Sequence, residues 1–171
     1  MKNHTKGQII LAVGLPGSGK STYFRRRGIH PLSSDALRQW LLDDETDQRY
    51  QNQVFLALRY LLRLRLVTGR KRNYVDATNL TPKERRPYVQ LAEHYGCDVR
   101  AIYFDVPLEV CRRRNRRRKR NVPEEAMQRM ARKLVPPTKE EGFVKITVVR
   151  PRKSKRRVVS KTVLVGLSQY R

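Results

Sequence analysis

The stretch Gly14-Leu15-Pro16-Gly17-Ser18-Gly19-Lys20-Ser21 leaves this chain few folds to choose from. It fits G-x-x-x-x-G-K-[ST], the pattern of a phosphate-binding loop, which needs a strand before it and a helix after it. Both are legible. Gln8 to Val13 is a short, mostly apolar and partly β-branched run, and Lys20 to about Arg27 reads as a helix with Gly28 as its stop. The glycines let the backbone turn its N–H groups inward around an anion. The helix N-terminus adds partial positive charge at the same place. Lys20 is placed to reach the β- and γ-phosphates of a nucleoside triphosphate, and the Ser21 hydroxyl to ligate Mg²⁺. The expected nucleotide-binding residues are therefore Gly14, Leu15, Pro16, Gly17, Ser18, Gly19, Lys20, Ser21 and Thr22.

Strand and helix patterns alternate along the rest of the chain, which predicts an α/β fold with a mainly parallel sheet flanked by helices. A second strand is expected at Ile29 to Ser33, followed by a helix capped by Asp35. The acidic turn Asp43, Asp44, Glu45, Asp47 reads as a solvated loop rather than a metal site. A long helix is predicted from Gln48 to Thr68, a third strand over Asn73 to Val75, and a helix opened by the capping box Thr81-Pro82-Lys83-Glu84. A fourth strand covers Val99 to Phe104. Pro107 opens a helix that runs into an arginine-rich stretch, Pro123 opens another, and Pro136-Pro137 ends it. Val144 to Val149 and Val158 to Val165 read as a C-terminal strand pair joined by the basic turn Arg150 to Arg157. With 171 residues, 39% of them hydrophobic, and no linker, one domain spanning 1–171 is expected, with a lid near 112–122.

Composition narrows the partners. Lys and Arg number 39 against 15 Asp and Glu, a net charge of +24. Such a balance points to a polyanion. Nucleic acid is favoured over an anionic membrane surface, because no amphipathic apolar anchor accompanies the charge. No stretch reads as a signal peptide or a membrane span, and Cys97 and Cys111 lack metal or redox spacing. Two free thiols and a cytoplasmic location are the expectation.

Three strands end in or beside an aspartate: Asp35, Asp76 and Asp105. In open α/β sheets that rim is where ligands bind. Asp35 is the best candidate base, because Arg38, three residues on, can orient it or hold an acceptor phosphate. Asp76 either caps a turn or faces a metal, and Asp105 reads as a helix cap. Eight of the nine residues from Arg112 to Arg120 are basic. That density is self-repelling unless anions are bound, and it suggests a lid that closes over phosphates and meets nucleic acid.

Taken in order, the phosphate loop through Thr22, Ser33-Ser34-Asp35 with Arg38, Asp43-Asp44-Glu45 with Gln48, Val75-Asp76-Ala77-Thr78-Asn79-Leu80, Phe104-Asp105-Val106-Pro107, Arg114-Asn115 with Arg118 and Val122-Pro123-Glu124 resemble the kinase domain of phage and bacterial polynucleotide 5′-kinases. The resemblance spans about Gln8 to Arg150. It implies ATP and Mg²⁺ as cofactors, a 5′-hydroxyl end of DNA or RNA as acceptor, and homo-oligomers in some members. By the family pattern Asp35 is the general base and Arg38 contacts it or the acceptor. Gln48, Asp76 and Asn79 support the site, and Arg114 and Arg118 are lid arginines, with the second lid position open among Arg116, Arg117 and Arg118. Two other readings remain in view. One is a kinase of a small molecule such as a nucleoside or an antibiotic; the other is a nucleic-acid-binding protein that uses ATP as a switch.

Overall fold

A computed structural model describes residues 7–118 and 121–151. In chain order the elements are β1 (Gln8–Val13), α1 (Lys20–Arg25), β2 (Leu32–Ser33), α2 (Ser34–Leu42), α3 (Gln51–Val67), β3 (Arg72–Asp76), α4 (Pro82–His94), β4 (Asp98–Phe104), α5 (Leu108–Arg116), α6 (Glu124–Lys133) and β5 (Lys145–Val149), with a 3₁₀ turn at Lys139–Glu141 before β5. The strands form one sheet in the order β2-β3-β1-β4-β5. All the pairings are parallel, as strands joined by helical crossovers must be. The chain first moves from β1 outward past β3, and later to the opposite side through β4. The phosphate loop thus sits at the switch point of the sheet.

Strand alternation sorts the core into two layers. Ile9, Leu11 and Val13 pack with Val75, Val99 and Ala101 under α2, α3 and α4, through Leu37, Val54, Leu58, Leu62, Tyr88 and Val89. Ile10 and Ala12 face the other way with Ile102 and Phe104, under Phe24 of α1, Cys111 of α5 and Met127 of α6. β1 is buried on both faces, which is why its sequence is a continuous apolar run rather than an alternating one.

Several boundaries depart from expectation, each with a local cause. β2 pairs only at Leu32 and Ser33, because Pro31 has no N–H to give to a ladder. The Ser33 hydroxyl, not Asp35, caps α2 by accepting the Ala36 N–H. α3 begins at Gln51 rather than Gln48. Asp44 and Asp47 each accept the backbone N–H two residues on, and these Asx turns hold the chain out of helix as far as Arg49. In α4 the box is shifted: Thr81 caps Glu84, while Glu84 accepts the Leu80 N–H instead of that of Thr81. Asp105 caps no helix; it pairs with Arg150, and Pro107 precedes α5. β5 extends the sheet beside β4. The second C-terminal strand and the turn from Arg152 lie outside the described residues.

Arg85 on α4, with no exposed surface, was not singled out by its sequence context. Its guanidinium donates to the carbonyls of Asn79, Leu80 and Val135 and pairs with Glu141 at 2.7 Å. It ties α4, the segment after β3 and the segment after α6 together. Removing one partner of a buried ion pair strands polar groups in the core. Arg85→Met should therefore lower stability by about 3–5 kcal/mol in urea melts; a loss under about 1 kcal/mol would show that the carbonyls find other donors.

Candidate active site

The loop after β1 is held by contacts that only glycine permits. Gly17 has φ +77°, and a Cβ there would lie 2.5 Å from the Cys111 carbonyl oxygen on α5. The loop therefore rests directly on the α5 backbone. Gly14 has φ +151°, and its N–H donates to the Thr78 carbonyl at 3.0 Å. Beneath it the Asn79 side chain, on a residue with φ +47°, donates to the Ala12 carbonyl at 2.8 Å. Asn79 thus fixes the loop's root.

Lys20, the first residue of α1, is buried, and its Nζ donates to the Gly14 and Leu15 carbonyls, each at 2.8 Å. Burial pushes its ammonium down to about 8, against the pull of Asp76. The Ser21 hydroxyl donates to the Asp76 carboxylate at 2.9 Å. Asp76, at the end of β3, is raised by burial and drawn back by Lys20 and by the Ser21 hydrogen bond. The Asp76 carboxylate thus lies beside the Ser21 hydroxyl. The oxygen donor set suits a hard divalent cation such as Mg²⁺. The buried Ser18 hydroxyl, which has no hydrogen-bond partner among the described residues, is a further polar atom facing the needs of an anion in the loop.

Across from these groups lies an ion pair. Arg38 is 4% exposed, and its Nη1 donates to Asp35. The Gln51 amide oxygen accepts from Arg38 Nε and Nη2, at 3.1 and 2.8 Å. The carboxylate of Asp35 is half-exposed, and its charge is felt at both Lys20 and Asp76. Gln48 does not take part. It lies exposed in the turn before α3, its amide directed to the Thr46 carbonyl. Gln51, three residues later, holds Arg38 instead.

The arginine stretch divides. Arg112 pairs with Glu109 and Glu124, joining α5 to α6. Arg114 donates to the Ser18 carbonyl at 3.3 Å, over the phosphate loop. α5 ends at Arg116, so Arg118 follows the helix instead of sharing a helical face with Arg114. Its charge nonetheless acts on Lys20 and Asp76. The cause is Asn115, whose buried side chain donates to and accepts from the Val122 backbone, at 2.8 and 3.1 Å. That clamp ties Val122 to the end of α5. Lys119 and Arg120 lie outside the described residues.

Residues 9–137 match the model of the AAA domain family. The chain belongs to that family. Among solved structures it is similar to a chain of the Pnkp1/Rnl/Hen1 RNA repair complex, at 22% identity and a TM-score of 0.65, covering 78% of this chain and 45% of the other. It is also similar to the Mycobacterium tuberculosis APS kinase CysC in complex with AMPPNP and APS, at 20% identity and a TM-score of 0.54, covering 87% and 91%. A Sinorhizobium meliloti gluconokinase matches at 19% identity and a TM-score of 0.56, covering 87% and 85%. The fold is that of the P-loop kinases. The chain spans less than half the length of the repair-complex chains it matches.

The Lys20 environment has a pH signature. Anion binding favours the ammonium, so above pH 8 each binding event must also take up a proton. The Kd for a nucleoside triphosphate should rise about tenfold between pH 7 and pH 9, measured by calorimetry. Lys20→Met should bind weakly with no such slope. A wild-type Kd that is flat over this range would show that the ammonium is not depressed.

Proposed function

We propose that this chain transfers the γ-phosphate of ATP, with Mg²⁺, to the 5′-hydroxyl end of DNA or RNA. The observation that carries the reading is the Asp35–Arg38–Gln51 arrangement. A buried guanidinium is locked by an amide on one side and holds a half-exposed carboxylate on the other, opposite the Lys20–Ser21–Asp76 group. Such a pair serves an acceptor hydroxyl; a nucleotide switch has no use for it. The net charge of +24 extends the argument from any hydroxyl to one at the end of a polyanion. The likeness to a chain of an RNA repair complex agrees with this, while the likenesses to APS kinase and gluconokinase share the fold and leave the acceptor to the surface charge.

The roles follow. The loop N–H groups and Lys20 bind the triphosphate. Ser21 and Asp76 hold the metal, which when bound neutralises charge on the phosphates. Asp35 accepts the proton of the 5′-hydroxyl as its oxygen attacks the γ-phosphorus and ADP departs. Arg38 holds that carboxylate in place. Arg114 and Arg118 stabilise charge on the transferring phosphoryl group.

Asp35→Asn should bind ATP as the wild type does and lose phosphoryl transfer to a 5′-OH oligonucleotide by on the order of a hundredfold or more. Calorimetry and radiolabel transfer measure the two separately. Wild-type transfer by this variant would overturn Asp35 as the base.

A further inference from the structure

We propose that a second nucleic-acid contact surface lies at the opposite end of the sheet from the phosphate loop, on the face that α1 only partly covers. Strand alternation and register build it. Ile10, Tyr74 and Ile102 belong to the layer under α1, α5 and α6. Arg72, two residues before Tyr74, and Arg100, two before Ile102, therefore lie on that same face. The pairing of Arg100 with Lys145 adds a third basic residue from β5. Arg72 and Lys145 open their strands, so the row crosses the amino end of the sheet.

α1 is only six residues long and ends at Arg25. Phe24 packs edge-on against Tyr74, which sets the exposed Arg25 and Arg26 beside this row. Arg27 is held over the Tyr23 ring. α5 and the end of α6 both touch the loop end of the sheet. Gly17 touches the carbonyl of Cys111 on α5, and the residue after Leu134 at the end of α6 donates to Leu80 beside the loop. Phe143, just before β5, belongs to the opposite layer.

The row is under-neutralised. Asp98 is the acidic side chain on it, 3.8 Å from Arg100, and the buried Arg100 Nε has no acceptor among the described residues. No carboxylate among those residues pairs with Arg26, Arg72 or Lys145. Cations gathered from one helix end and three strands, with Asp98 as the acid among them, suit a linear polyanion. Neighbouring strands lie about 5 Å apart, which spaces Arg100 and Lys145 closely and sets Arg72 about 10 Å from β4. The surface stands roughly 20 Å from the catalytic end, the length of a six-residue strand. A strand bound by its 5′ end must therefore run several nucleotides before it arrives.

This inference rests on the acceptor being a polynucleotide, and its test separates the two claims. The triple variant Arg26→Gln, Arg72→Gln, Lys145→Gln is compared with Arg63→Gln, Lys83→Gln, Arg86→Gln, which removes equal charge from α3 and α4 on the other face. Anisotropy with a 5′-phosphorylated 20-mer measures binding without any phosphoryl transfer. The first variant should lower the salt slope of log K by about 2, at roughly 0.7 per lost phosphate contact on a single strand, and the second should not. The KM for a 5′-OH 20-mer should rise severalfold, with the KM for a trinucleotide and kcat unchanged. An equal slope change in both variants would mean diffuse charge, and no change in the first would mean no contact; either overturns the proposal. Loss of binding to phosphatidylserine vesicles with an unaltered oligonucleotide slope would assign the surface to a membrane instead. If the slope falls as expected while no end is phosphorylated, the surface stands and the kinase reading fails.

Discussion

Burying the Lys20 ammonium is the constraint around which the catalytic end of the sheet is built. A lysine head removed from water loses hydration worth several kcal/mol, and here burial holds it down to about 8. Two things offset that loss, the carbonyls of Gly14 and Leu15 and the nearby Asp76 carboxylate, while the close approach at Gly17 holds the loop in place. Each of these depends on a separate element. Asp76 arrives on β3, the Gly17 contact needs the α5 backbone, and the root of the loop needs Asn79 and Thr78 from the segment after β3. The local sequence pattern is thus satisfied only by the assembled fold.

The same dependence explains how function is divided along the chain. In the proposed reaction, the groups that meet phosphate come from the loop and from the α5 region, on one side of β1. The Asp35–Arg38 pair comes from α2, on the other side of the sheet, and is stiffened by α3 through Gln51. The proposed donor and acceptor sides are therefore built by different layers. Arg85 and Asn115 touch neither. They fix neighbouring segments, one by gathering three carbonyls and the other by tying Val122 to α5.

Much of this was legible in the sequence because it follows from short-range rules. The phosphate loop, the parallel α/β order and the Asp35–Arg38 pairing rest on spacing that helix and strand geometry fix. What was not legible depended on competition or on distance. Gln48 and Gln51 are equivalent by helical spacing; only the Asx turns at Asp44 and Asp47, visible as acidic punctuation but unweighted, move the helix start and hand the contact to Gln51. Asp35 reads as a cap until Ser33 takes that place. Arg118 loses its helical relation to Arg114 because Asn115 spends its amide on Val122, a partner seven residues away. Arg85 resembles any helical arginine, since its partners lie in two other segments.

The central claim is that the acceptor is a nucleic-acid end. Incubation with γ-labelled ATP and a matched panel of 5′-OH DNA, 5′-OH RNA, the same strands bearing a 5′-phosphate, a nucleoside and a sugar acid tests it most directly. The account predicts label on 5′-OH strands alone, removable by a phosphatase acting on 5′ ends. Label on a small acceptor with none on any strand would contradict it.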